Sequence, residues 1–235
     1  MKRSTLALAV ALALPVLPSI AHAQLSFNVG AVTDYRYRGI SQTRVKPAVQ
    51  GGVDYAAGGL YVGAWASTIK WIKDAGGDAS YELDLYGGYK GEISPGIGFD
   101  VGLLRYLYPS TGAANTTELY GAVTFGPATV KYSHATTNTF GNPDSKNSSY
   151  IDLSAGFDVG GFTVTPHIGY QKIDGPLSSV GSYADYALTV SKDFSGVLLS
   201  VALVGTDADK AFYSSPVNGK ELGKAGLLLG AKYSF

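Results

Sequence analysis

The sequence predicts an all-β protein, a transmembrane antiparallel up-and-down β-barrel of about twelve strands following a cleaved leader. Three observations carry that expectation. Segments of about ten residues succeed one another, each with one apolar and one polar parity. The connections between them alternate between tight and long. Beyond residue 23, no apolar run approaches the roughly 18 residues of a spanning helix. Composition agrees, since 235 residues with 31 Gly, 17 Tyr, no Cys and 15% charged residues suit half-exposed strands joined by turns better than a cytosolic enzyme. The 18 basic and 18 acidic residues balance, and without Lys2 and Arg3 they stand at 16 against 18. No basic surplus is left for nucleic acid.

Residues 1–23 read as a secretory signal peptide. Lys2 and Arg3 form the positive start, LALAVALALPVLPSI the apolar stretch, and Ala21-His22-Ala23 an A-x-A cleavage site. Pro15, Pro18 and the A-x-A argue against a membrane anchor, so the barrel is expected over 24–235. Export without Cys leaves no disulfide staples, and stability has to come from a large core or from lipid.

In the first strand, Leu25, Phe27, Val29 and Ala31 alternate with Ser26, Asn28 and Gly30, and the polar side continues through Asp34, Arg36 and Arg38, which extends the expected strand over 24–38. Further strands are expected near 46–55, 60–70, 79–90, 97–108, 115–125, 127–136, 148–158, 162–172, 182–192, 197–205 and 224–235. The clearest alternation is FTVTPHIGYQ, where Pro166 removes one ladder donor. AAGG, GEISPG, GP, VGG and FSG are tight connections, whereas GISQTRV, WIKDAGGD, PSTGAA, TNTFGNPDSKNS and TDADKAFYSSPVNGKELG are longer and more polar. Brief periplasmic turns and extended outer loops produce that asymmetry, and an even strand count puts both termini on the periplasmic side.

A soluble β-sandwich or lipocalin-like barrel also alternates. Charge placement separates the two, because an Arg or Lys on the lipid face at the midplane costs about 2–4 kcal/mol. Arg36, Lys90, Lys131, Asp84, Asp100, Glu118, Asp152 and Asp185 all fall on the polar parity, and a one-residue slip would put each of them in lipid. Arg105 shares parity with Val101 and Leu103 and is expected to snorkel at the outer interface or to follow a bulge. The last strand alternates through Leu227, Leu229, Ala231, Tyr233 and Phe235. It is similar to the C-terminal signature of bacterial outer-membrane proteins, which implies that Tyr233 and Phe235 serve the outer-membrane assembly machinery and closure onto the first strand.

The first half carries a denser resemblance. DYRYRGISQ (Asp34 to Gln42), KPAVQGGVDY (Lys46 to Tyr55), YVGAWAS (Tyr61 to Ser67), YELDLYGGY (Tyr81 to Tyr89) and FDVGLLRYLYP (Phe99 to Pro109) resemble the TorF family of porin-like proteins, most closely over about 28–126. The resemblance implies an outer-membrane β-barrel of pore function. It brings no catalytic residues and no agreed substrate.

Barrel width grows with strand number, and twelve lies between the filled small barrels and the open porins. The function expected is therefore a narrow passive channel for ions or small hydrophilic solutes, seated in outer-membrane lipid, with Arg36, Glu82, Asp84, Asp100, Glu118, Lys131 and Asp152 lining the pore. Inward charges of both signs suggest weak selectivity that leans toward cations; they also fit a salt-bridge lattice satisfying the wall, with Asp34 and Arg36 as one pair. The loop TNTFGNPDSKNS is a candidate constriction. Tyr35, Tyr37, Tyr61, Trp65, Tyr106 and Tyr108 are expected as girdle residues together with Tyr233 and Phe235.

The alternatives are a closed structural or adhesive barrel and an outer-membrane hydrolase. A hydrolase needs a nucleophile within reach of its base. Past the leader only His134 and His167 are available, Ser133 and His134 point to opposite faces, and His167 has no carboxylate beside it on its own strand. No catalytic, cofactor or metal site is expected with two His and no Cys. GIGFDVG lacks dinucleotide-loop spacing, and Asp207 and Asp209 read as a solvated loop.

Overall fold

The computed structural model describes residues 23–235, and the leader expected up to residue 23 lies outside them apart from Ala23 itself. Twelve strands meander around a closed antiparallel barrel: β1 (Gln24–Val32), β2 (Ala48–Ala57), β3 (Leu60–Thr68), β4 (Tyr81–Ser94), β5 (Ile97–Leu107), β6 (Thr116–Phe125), β7 (Ala128–Ala135), β8 (Ser149–Ala155, continued by Phe157–Val159), β9 (Phe162–Lys172), β10 (Tyr183–Phe194), β11 (Val197–Thr206) and β12 (Gly226–Ser234). Each strand pairs with its neighbours in sequence. β12 closes onto β1 from Asn28↔Ser234 to Val32↔Gly230, and no sheet edge is left open for another chain.

The alternation predicted from the sequence determines which side faces out. Leu25, Phe27 and Val29 on β1, Val101 and Leu103 on β5, and Leu227 and Leu229 on β12 are all exposed, which is the band that lipid covers. Arg105 also points outward and hydrogen-bonds the Thr117 Oγ1 at 2.6 Å. No bulge lies beside it, because the register irregularity of β4 and β5 falls at Glu92/Ser94. The β2–β3 turn places Gly58 and Gly59 at φ 57° and 89°, the doubly left-handed geometry that a two-residue hairpin favours.

Two expectations change. The first strand stops at Val32 rather than near residue 38, and the chain then turns into the barrel. Tyr35, Tyr37, Tyr61, Trp65, Tyr106 and Tyr108 do not form a girdle; all six are buried or half-buried on the lumen side. Parity explains the correction on the strands: Tyr61 lies between the exposed Leu60 and Val62, and Tyr106 shares a face with Asp100. The exposed aromatics that remain form two belts, Tyr55, Tyr89, Phe125, Phe162, Phe194 and Tyr233 toward the tight turns and Tyr81, Tyr132, Tyr170 and Tyr186 toward the long loops. Such belts match the two membrane interfaces. Phe235 exchanges backbone hydrogen bonds with Phe27 at 2.8 and 3.0 Å and stacks on its ring at 5.7 Å, extending the closure by one residue pair.

Inside, tyrosines lie flat over glycines of the next strand. Tyr61 faces Gly88 and Tyr86 faces Gly63 across β3 and β4, and Tyr120 faces Gly102 across β5 and β6. A methyl group on Gly102 would meet the Tyr120 phenol oxygen at 2.5 Å and the Gly87 carbonyl oxygen at 2.6 Å. Gly102→Ala is therefore expected to lower barrel stability by about 1–3 kcal/mol, measured by urea unfolding in lipid vesicles, whereas Gly112→Ala, with open space around its position, should change nothing.

Candidate functional site: the lumen and its inward segment

The site begins where β1 ends. Residues 34–43 fold into the barrel around Asp34, whose carboxylate accepts hydrogen bonds from the Ser41 hydroxyl at 2.5 Å and the Thr43 hydroxyl at 3.0 Å and pairs with the Arg36 Nε at 2.5 Å. Arg36–Tyr37 and Ile40–Ser41 form a miniature hairpin, with Gly39 at φ 79°. Only glycine fits there, because a Cβ would come within 2.3 Å of the Thr206 methyl on the wall.

Opposite walls hold the segment. Arg36 donates to the Leu222 carbonyl at 2.7 Å and to the Gly39 carbonyl at 2.9 Å. Arg38 reaches Glu118 on β6 at 2.7 Å and Gln171 on β9 at 2.5 Å, with its guanidinium 4.2 Å from the Tyr150 ring and 4.7 Å from the Tyr37 ring. The Tyr35 hydroxyl donates to Glu82 at 2.8 Å, and Tyr108 donates to the other oxygen of that carboxylate at 3.0 Å. Around these polar anchors, Tyr35, Trp65, Ile69, Ile72, Tyr106 and Tyr108 form an apolar core at the long-loop end, and Ile40 packs with Tyr183 and Ala208. Phe140, from the loop expected as a constriction, caps the tyrosines edge-on at 5.2 Å from both Tyr37 and Tyr106. The first long connection thus occupies the long-loop end of the lumen, with Phe140 packed against it. Just past the buried Thr43, Arg44 pairs with Asp74, and that carboxylate raises the guanidinium pKa.

Beneath the inward segment the lumen is half-exposed. The Tyr86 hydroxyl donates to Asp54 at 2.5 Å and the Tyr61 hydroxyl to Asp100 at 2.5 Å, while the Tyr61 and Tyr120 phenols bond each other. Lys131 lies 4.2 Å from the Tyr120 ring centre and Lys90 5.6 Å from that of Tyr61. On the opposite wall, the His167 Nε2 is 2.6 Å from Asp152 and its Nδ1 3.6 Å from Asp185, whose other oxygen accepts from Tyr150 at 2.9 Å.

The residues singled out in the sequence therefore divide. Asp100 and Lys131 face the half-exposed lower lumen; Glu82, Asp84, Glu118 and Asp152 are buried beside or below the inward segment; and Arg36 is carried on that segment's small hairpin rather than on a barrel strand. Sequence reasoning missed Arg38 as the central tie and the His167 cluster. His167 has no acidic neighbour along its own strand, but register brings Asp152 of β8 opposite Gly169, and Asp185 of β10 opposite the same residue.

A closed antiparallel barrel with an apolar outside, aromatic belts at both ends and a charged lumen defines a transmembrane β-barrel of the bacterial outer-membrane type. Residues 19–235 match the family described as a bacterial protein of unknown function (Gcw_chp), and the chain belongs to that family. None of the curated proteins compared with it matches. Among solved structures, the KdgM porin superimposes with a TM-score of 0.59 at 8% identity, covering 89% of this chain and 99% of that one. The KdgM porin in complex with disordered oligogalacturonate gives 0.54 at 8% identity, covering 91% and 99%. At that identity, the likeness is one of fold.

Removing either partner of the Arg38–Glu118 pair strands the other in a buried site. Arg38→Ala and Glu118→Ala are each expected to cost about 3–5 kcal/mol, and the double variant should cost clearly less than their sum, measured by urea unfolding in vesicles.

Proposed function

We propose that the protein is a passive outer-membrane channel for ions or small hydrophilic solutes, and that segment 34–43 forms its gate. The carrying observation is the contrast along the lumen. The lower half is polar and half-exposed at Asn28, Asp54, Asp100 and Lys131, and the upper half is filled by a segment tied to the wall through Arg36 and Arg38. Tyr35, Tyr37 and Ile40 join the segment to apolar packing, and its remaining ties through Arg36 and Arg38 are charged contacts that water can replace. The resemblance of residues 28–126 to the TorF family and the porin fold of the structural neighbours support the same reading.

The charge in the lumen argues about the solute. Asp34, Asp54, Glu82, Asp84, Asp100, Glu118, Asp152 and Asp185 outnumber the inward Arg36, Arg38, Lys90, Lys131 and Lys232, which disfavours a polyanion such as the oligogalacturonate held by the neighbouring porin and leans the channel toward cations. Catalysis fits poorly. Among the described residues, the hydroxyl that hydrogen-bonds His167 is that of Tyr150, a weak candidate for a nucleophile with the ring already engaged by two aspartates. The filled upper lumen also gives weight to a second reading, a permanently closed structural barrel.

Planar-bilayer recording of the refolded mature chain separates these readings. The channel reading expects small discrete steps with a reversal potential displaced toward cation selectivity, and longer or larger openings in Arg38→Ala. Silence in both proteins, each shown to be folded by heat-modifiable gel mobility, would establish the closed barrel instead.

A further inference from the structure

Asp84 is the exception to a rule that governs the rest of the lumen. Each of the other inward carboxylates described above has a donor or cation: Tyr86 on Asp54, Tyr61 on Asp100, Tyr35 and Tyr108 on Glu82, Arg38 on Glu118, and His167 and Tyr150 on the Asp152–Asp185 pair. Asp84 is only 8% exposed, and its Oδ1 is buried with no hydrogen-bond partner. A buried unpaired carboxylate is among the more costly arrangements a protein can hold. The indole Nε1 of Trp65, its register partner on β3, is likewise buried without a partner.

We infer that Asp84, opposite Trp65 and Tyr106 on its two neighbouring strands and two residues from Tyr86 on its own face, is the binding point for a small protonated amine. The placement comes from register. Trp65 on β3 and Tyr106 on β5 sit directly opposite Asp84 and flank it on the lumen side, at the spacing where opposed side chains touch. Tyr86 follows two residues along β4 on the same face, toward the half-exposed lower lumen from which a solute would enter. Glu82 lies two residues the other way, already satisfied by its phenols, and Glu118 is already held by Arg38.

The chemistry selects the ligand class. Asp84 lacks a donor, and an alkylammonium brings three N–H groups and a positive charge. Aromatic faces around a carboxylate stabilise such a cation at its methyl groups as well as at its nitrogen. An inorganic cation is served badly here, because Na⁺-like and Ca²⁺-like ions want a shell of oxygens, whereas both register partners of Asp84 are aromatic and Glu82 and Glu118 are already held by other donors. Among the described residues, no group of three or more His, Cys, Asp or Glu is arranged to hold a metal ion. A single water would fill the gap without neutralising the charge. The inference rests on the channel reading for its meaning as solute selection, although the binding itself does not require conduction.

The chain contains two tryptophans, so a Trp71→Phe background leaves Trp65 as a reporter inside the site. Titrating the refolded full barrel in detergent with methylammonium chloride should change Trp65 fluorescence saturably. Sodium chloride at equal ionic strength should not reproduce the change. Asp84→Asn should weaken the apparent affinity at least about tenfold, and Asp84→Ser, made in parallel in case the amide misfolds, should do the same. A response absent from the parent, equal with sodium, or unchanged in the folded Asp84 variants would overturn the site. The two readings fail separately. A barrel that binds the amine through Asp84 yet stays silent in the bilayer sinks the channel and keeps the site, whereas one that conducts without Asp84-dependent binding sinks only the site.

Discussion

Everything else in this molecule depends on the pairing of Gln24–Val32 with Gly226–Ser234. In hydrocarbon there is no water to satisfy a free backbone N–H or C=O, so a sheet can cross a membrane only if its first and last strands find each other. That closure occurs through the register from Asn28↔Ser234 to Val32↔Gly230 and the reciprocal Phe27–Phe235 bonds beyond it. It fixes the circumference at twelve strands and thereby the width of the lumen that the side chains must fill or line. The inward segment, the tyrosine lattice and the buried acids are all responses to a space of that size.

The lumen is filled in two different ways along its axis. Near the long loops the solution resembles a soluble protein core, with Tyr35, Trp65, Ile69, Ile72, Tyr106 and Tyr108 packed together and charges other than Asp84 admitted where an opposite charge or a phenol meets them. Near the tight turns the wall itself does the work. Glycines on one strand let the neighbour's tyrosine lie flat, as Gly88 does for Tyr61 and Gly63 for Tyr86, and the phenol tips then reach Asp100 and Asp54. This arrangement stiffens the wall without closing the bore. A carboxylate with a fixed phenol donor stays oriented, so the lumen's field is set by the fold and does not depend on mobile side chains.

Much of this was legible in the sequence because a membrane barrel enforces period two so strictly. The alternation at 162–172 and 97–107 and the clean polar parity of Asp84, Asp100 and Lys131 led to the strands and their inward faces, since a slipped register would have put those charges in lipid. Two features were hidden for physical reasons. DYRYR alternates just as a strand does, and alternation cannot tell a strand running on past the interface from a segment whose Arg36 and Arg38 find buried partners more than 80 residues away at Leu222 and Gln171. Parity does place Tyr61, Tyr86 and Tyr120 inside, but aromatic residues near strand ends serve lipid interfaces and lumen cores alike, so composition alone does not separate Tyr61, Tyr106 and Tyr108 from the exposed belts. The His167 cluster depends on which strands lie side by side and in what register, and residues 152, 167 and 185 carry no local pattern that joins them.

The central claim is that residues 34–43 lie inside the barrel and occlude it. The most direct measurement uses the absence of cysteine: single variants Thr43→Cys, at a position 1% exposed, and Val217→Cys, at an exposed loop position, are reconstituted in vesicles and treated with a bulky, membrane-impermeant maleimide. The account predicts rapid labelling at position 217 and labelling at position 43 that is slower by orders of magnitude until the barrel is unfolded. Equal rates at the two positions in the folded barrel would place the segment outside the lumen and contradict the account.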